Sequence, residues 1–202
     1  MARIITYATD SIIHDADKVI GTDGVEGANF GKTKNYTISD LKSHINTGIN
    51  LLGWARYDDT VYTVSNKLAL TDGIVVTLPN NAGNIVSSPS APVFYNSSTQ
   101  KLQATGVNNV YMLTVVFKAS AANANTTHLD FKMSGPGEFD RINKALSFYK
   151  ANDEEQSFHE VYQYYSDQDF VDNGVTLTIN SDGGSANVWD IIYFIQKTQS
   201  AN

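Results

Sequence analysis

The chain has no cysteine. A disulfide framework, a thiolate zinc site and a thiol nucleophile are therefore all excluded. Charge is also scarce: Asp, Glu, Lys and Arg make up 17% of 202 residues, against about a quarter in an ordinary soluble domain. Positive charge is the scarcer sign, with 14 Lys and Arg against 21 Asp and Glu, for a net charge of -7. Such a surface repels phosphate backbones, so nucleic acid is not an expected partner. No apolar run approaches the roughly 20 residues of a membrane span, and no membrane contact is expected. The stretch from Met1 to Tyr7 lacks the long apolar centre of a signal peptide, which fits a chain made in the cytoplasm and not sent through a secretion channel by itself.

What remains is polar without being charged. Asn, Ser, Thr and Gly must supply much of the surface, and these are residues of turns and outward strand positions. The 11 Tyr and 9 Phe favour pleated surfaces and interfaces. From residue 51 onward the pattern is β. Val61 to Val64 and Ile74 to Leu78 are β-branched runs, the second broken at Pro79. Val93 to Tyr95 leads to a turn at Asn96, Ser97 and Ser98. Val110 to Phe117 is nearly continuous apolar sequence and predicts a central strand. His128 to Met133 alternates, and Phe158 to Tyr165 carries aromatics on both faces. Asp172-Asn173-Gly174 predicts a tight turn before Val175 to Asn180, and Asp182-Gly183-Gly184 another before the closing strand Val188 to Ile195. The spacing of Phe139, Ile142, Leu146 and Tyr149 is helical, but the all-β surroundings favour a strand there. Many short strands at such intervals predict an all-β antiparallel sandwich of the jelly-roll kind.

Residues 1–50 differ. They are irregular and punctuated by glycine, with short strands expected at Ile4 to Tyr7 and Lys18 to Gly21 and a turn at Thr22-Asp23-Gly24. Thr37-Ile38-Ser39-Asp40 has the spacing of a helix cap, followed by Leu41 and Ile45, so one short helix is expected, ending before Gly48. This stretch has too few large apolar residues for a core of its own. The expected division is a segment 1–50 and a sandwich 51–202.

The sequence contains tempting sites that weaken on inspection. Gly27 to Thr33 ends in Gly-Lys-Thr like a phosphate loop, but Glu26 stands where the first glycine belongs, and its carboxylate repels phosphate. The histidines His14, His44, His128 and His159 show no metal-pair spacing, although His128 and His159 could meet on neighbouring strands. Asp167, Asp169 and Asp172, and Asn180 with Asp182, are turn residues before they are calcium ligands. No Gly-x-Ser-x-Gly elbow occurs. The expectation is a protein without catalytic residues, metal or cofactor, not an enzyme.

The aromatics carry the remaining signal. Strict alternation on the last strand puts Trp189, Ile191, Tyr193 and Ile195 on one face and Val188, Ile192 and Phe194 on the other, so both faces are apolar. A two-layer sandwich covers only one of them. The expected cover is a neighbouring subunit, with Tyr111, Leu113, Phe158, Tyr162, Tyr164, Trp189, Ile191 and Tyr193 at the interface. The alternative is that the N-terminal segment covers this face within one chain.

Two resemblances add to this reading. Asn108 to Lys118, Asp169 to Leu177 and Val188 to Ile195 resemble the central strand, the turn between the last two long strands and the terminal strand of the tumour necrosis factor and complement globular-domain jelly rolls. That resemblance implies a homotrimer. Asp17 to Asp23, with Gly31-Lys32-Thr33-Lys34-Asn35-Tyr36-Thr37-Ile38-Ser39-Asp40-Leu41, resembles an attachment segment of tailed-phage virion structural proteins. It implies a virion protein of the capsid-decoration or head-fibre type, made in the host cytoplasm and held to other capsid or tail proteins. Lys18, Ile20, Thr33, Lys34, Asn35, Tyr36 and Leu41 are the implied anchor. The alternative is a tail-fibre or receptor-binding protein whose outer-loop Tyr and Trp stack on host glycans.

Overall fold

The computed structural model describes residues 16, 18–22, 33–41, 52–89, 91–135 and 140–200. The expected strand at Ile4 to Tyr7, the loop Gly27 to Lys32, the helix end near Gly48, and His14, His44 and Phe139 lie outside the described residues. The chain divides into two compact units, residues 1–51 and 52–202.

In the first unit, β1 (Lys18–Thr22) pairs antiparallel with β2 (Thr33–Thr37), setting Ile20 opposite Asn35 and Val19 opposite Tyr36. The chain then enters a helix, α1, at residues 38–41. Thr37 and Asp40 form the reciprocal cap that their spacing predicts. Asp40 N–H donates to Thr37 Oγ1 at 3.0 Å, and Thr37 N–H donates to Asp40 Oδ2 at 3.2 Å.

The second unit is a sandwich of two antiparallel sheets. Its strands in chain order are β3 (Trp54–Asp58), β4 (Leu68–Leu70), β5 (Val76–Thr77), β6 (Asn84–Ser87), β7 (Tyr95–Asn96), β8 (Lys101–Leu102), β9 (Val110–Ala121), β10 (His128–Ser134), β11 (Asp140–Ser147), β12 (Gln156–Tyr165), β13 (Val175–Asp182) and β14 (Ala186–Gln199). One sheet runs β12-β9-β14-β3-β6, with β4 also on β14; the other runs β11-β10-β13-β8-β7, with β5 also on β13. From β9 onward the chain passes between the sheets repeatedly, and this builds the jelly-roll-like sandwich.

Alternation explains the core. Tyr111, Leu113, Val115, Phe117 and Ala119 of β9 point inward, as do Leu129, Phe131 and Met133 of β10 and Val175, Leu177 and Ile179 of β13. The central strand is indeed central, but its second face is half-covered rather than buried. The stretch with helical spacing before Lys150 is the strand β11.

Three expectations need correction. Val61 to Val64 is not a strand. Asp59 Oδ2 accepts the N–H groups of Val61 and Tyr62 at 3.1 and 2.6 Å, and Asn66 Nδ2 donates to Val61 O, so local side chains wind this β-branched run into a turn. Asp172-Asn173-Gly174 is not a hairpin turn but the end of a helix, α2 (Gln168–Asn173), which carries the chain from β12 in one sheet to β13 in the other. Asp167 caps its start, accepting the Phe170 N–H at 2.9 Å, and Gly174 ends it with φ 68°. The run Ile74 to Leu78 contributes only the two-residue strand β5.

Candidate functional site

The last strand does not alternate strictly. Trp189 lies opposite Lys118 of β9, yet Ile192 lies opposite Val116, so β14 carries one residue more than its partner between these pairs. This is a β-bulge, with Asp190 at φ 54°. The bulge exchanges the faces. Val188 joins Ile191, Tyr193 and Ile195 in the core, while Trp189 shares the outer face with Ile192 and Phe194. The expectation that Trp189 shares a face with Ile191, Tyr193 and Ile195, and Val188 with Ile192 and Phe194, is thereby corrected.

The expected interface residues lie mostly inside the chain's own core. Tyr111, Leu113, Phe158, Tyr164, Ile191 and Tyr193 are buried in the hydrophobic core of the chain itself, which gives their burial a cover other than a neighbouring subunit. Tyr164 stacks on Tyr111 at 5.4 Å and on Phe170 of α2 at 5.5 Å. Phe158 stacks on Phe117 at 5.2 Å, and the half-buried Tyr162 on Phe131 at 5.5 Å. Tyr193 Oη donates to Leu78 O at 2.6 Å. Burial raises the phenols of Tyr193 and Tyr164 well above their ordinary value, and those of Tyr95 and Tyr57 upward for the same reason. Trp189 is covered from its own chain: Lys67 Nζ sits 4.1 Å above its ring, on the turn that replaces the expected strand.

The outer face of this sheet remains open toward its β6 edge. Trp54, Arg56 and Asp58 alternate on β3 and share that face. Across the ladders, Phe194 lies opposite Arg56, Asn84 opposite Asp58 and Val86 opposite Arg56. These six residues surround a hollow of about 500 Å³. Trp54 stacks on Phe194 at 5.7 Å and 25°. Arg56 Nε donates to Asp58 Oδ1 at 2.6 Å, and Asn84 Nδ2 to Asp58 Oδ2 at 3.2 Å. Reading the sequence for loop aromatics passes over this hollow, because β3 looks polar and begins before the β-branched runs.

The anchor residues stand on the hairpin and the capped turn. Ile20 is 72% exposed, and Val19, Tyr36 and Leu41 are exposed as well. Lys18 and Thr33 lie at opposite ends of the ladder, Lys18 opposite Thr37 and Thr33 opposite Thr22. Lys34 pairs through its backbone with Gly21.

The groups set aside as metal sites are dispersed. His128 on β10 and His159 on β12 belong to different sheets and do not meet on neighbouring strands. Asp167 holds the Arg141 guanidinium at 2.7 Å, and its carboxyl is kept below the usual range by the Phe170 N–H first and by Arg141 second. Asp172 accepts from Gln168 at 2.9 Å. Among the described residues no three His, Asp or Glu side chains gather as a metal site, and no helix is long and apolar enough to cross a membrane.

The class defined by these residues is an all-β antiparallel sandwich of jelly-roll type. No protein-family model matches the chain, and no curated protein matches it. Among solved structures it is similar to PRD1 vertex protein P5, with 10% identity, a TM-score of 0.43, and 89% of this chain and 82% of that one covered. It is also similar to the N-terminal CBM22-1 and GH10 modules of Clostridium thermocellum endo-1,4-beta-D-xylanase 10B, with 13% identity and a TM-score of 0.35 over 72% of this chain and 29% of that one. A third likeness is to the CBM22-1 xylan-binding domain of Paenibacillus barcinonensis Xyn10C, with 11% identity and a TM-score of 0.27 over 72% and 94%. Likenesses this remote carry no conclusion about function.

Proposed function

We propose that the chain is a structural protein of a bacteriophage particle, a homotrimeric capsid decoration or head fibre held to other virion proteins by residues 1–51. The observation that carries this reading is a contrast between the two units. Among the described residues, the buried hydrophobic core of the sandwich runs from Ala55 to Ile195. The hairpin, by contrast, carries Ile20, Val19, Tyr36 and Leu41 as exposed apolar side chains around a capped helix start. Exposed apolar groups clustered on a short element fit burial against a partner. The trimer contact falls on the edge strand β12, where Val161 and Tyr165 are exposed at 55% and 63%.

Replacing Ile20 and Tyr36 together by Asp tests the attachment. The variant is expected to keep the melting temperature of the sandwich and to be missing from particles purified out of the host that makes it. Normal incorporation of the double variant contradicts the reading. Val161→Asp with Tyr165→Asp is expected to lower the native mass; an unchanged mass contradicts the assignment of the contact to β12.

A further inference from the structure

The hollow on β3 has two chemically distinct parts. At one side the Trp54 indole is braced by Phe194, yet 36% of the residue remains exposed. At the other, Arg56, Asp58 and Asn84 form a connected set of planar donors and acceptors, with the Arg56 side chain 47% and the Asp58 side chain 21% exposed. All three sit on paired strands, so the array is held in place before any ligand arrives. The volume of about 500 Å³ lies within the range of roughly 300–1,000 Å³ usual for small-molecule sites.

We propose that this hollow binds an uncharged oligosaccharide. A pyranose has an apolar C–H face, which suits the exposed indole, and a rim of hydroxyls that both donate and accept. Those hydroxyls can replace water at Arg56, Asp58 and Asn84 without stranding a charge. The Arg56–Asp58 pair cancels its own charge, and the net charge of -7 disfavours an acidic polymer. A second protein chain is a poorer occupant. It would have to strip water from the ion pair and from Asn84 while gaining only the modest apolar area of Val86, Phe194 and Trp54. The site goes beyond the attachment role and does not depend on it.

The test uses the full chain and short neutral oligosaccharides of the malto, cello, xylo and galacto series. The two tryptophans are Trp54 and the buried Trp189. A Trp189→Phe variant therefore leaves Trp54 as the single reporter, and saturable fluorescence change with at least one series is expected. Calorimetry with that sugar is expected to show binding lost in Trp54→Ala and about tenfold weaker in Asp58→Ala, with melting temperature and native mass unchanged in both. The proposal is overturned if no series saturates, if Trp54→Ala binds like the parent, or if Trp54→Ala dissociates an oligomer and so marks the face as a protein contact. A chain that binds sugar but fails to join particles refutes only the attachment role.

Discussion

Asp190 shows how one residue can redirect a strand. Its φ of 54° makes the bulge that turns Trp189 outward and Val188 inward. The sequence displays a greasy strand but hides the bulge, because a non-glycine residue with positive φ has no reliable signature. The expected grouping of Trp189 with Ile191 and Tyr193 fails for this reason. Most of the other expected interface residues lie in the chain's own core, because large aromatics fit a core as well as they fit an interface. Leu113 is wholly buried, so Leu113→Ala should cost about 2–5 kcal/mol in urea denaturation. Val93→Ala, at an exposed site away from the β12 edge, should change stability by less than about 0.5 kcal/mol. Comparable losses at the two positions would mean that the faces are assigned wrongly. Trp54 was not legible as a site residue, since its value comes from Phe194, a neighbour distant in sequence that only the β3–β14 register supplies.

At the scale of elements, the long strands were legible where alternation or β-branching persists: β9, β10, β12, β13 and β14 all lie where their patterns put them. The short cap at Thr37 was legible because its chemistry is local. Illegible elements were those decided by one competing side chain. Asp59 unwinds Val61 to Val64, and Asp167 starts a helix ahead of what reads as a hairpin turn. Gly174 is where that helix ends. Its φ of 68° with ψ of 178° suits glycine, and an added Cβ would stand 2.7 Å from Leu102 O. Gly174→Ala should therefore destabilise the sandwich by about 1–3 kcal/mol, read by thermal melting. A neutral substitution would contradict the crossover geometry.

For the whole molecule, the buried phenols set the response to alkali. Tyr193, Tyr164, Tyr95 and Tyr57 are raised above the ordinary value of 10.0, chiefly by desolvation. They stay protonated in the fold at a pH where the unfolded chain releases its protons. Their contribution is complete below pH 10.0 and is lost as pH rises beyond it toward the folded values. Melting temperature should not decline on their account up to that pH and should fall steeply above it; a melting temperature that holds steady well past it would mean these phenols are not sealed in.

The division of labour between the two units is the central claim, and deletion of residues 1–51 tests it most directly. The chain 52–202 should express as a folded β-protein with a cooperative melt close to that of the full chain, and should be absent from purified particles that contain the full-length protein. A leaderless chain found in particles at the full-length level would contradict the account, as would one that fails to fold.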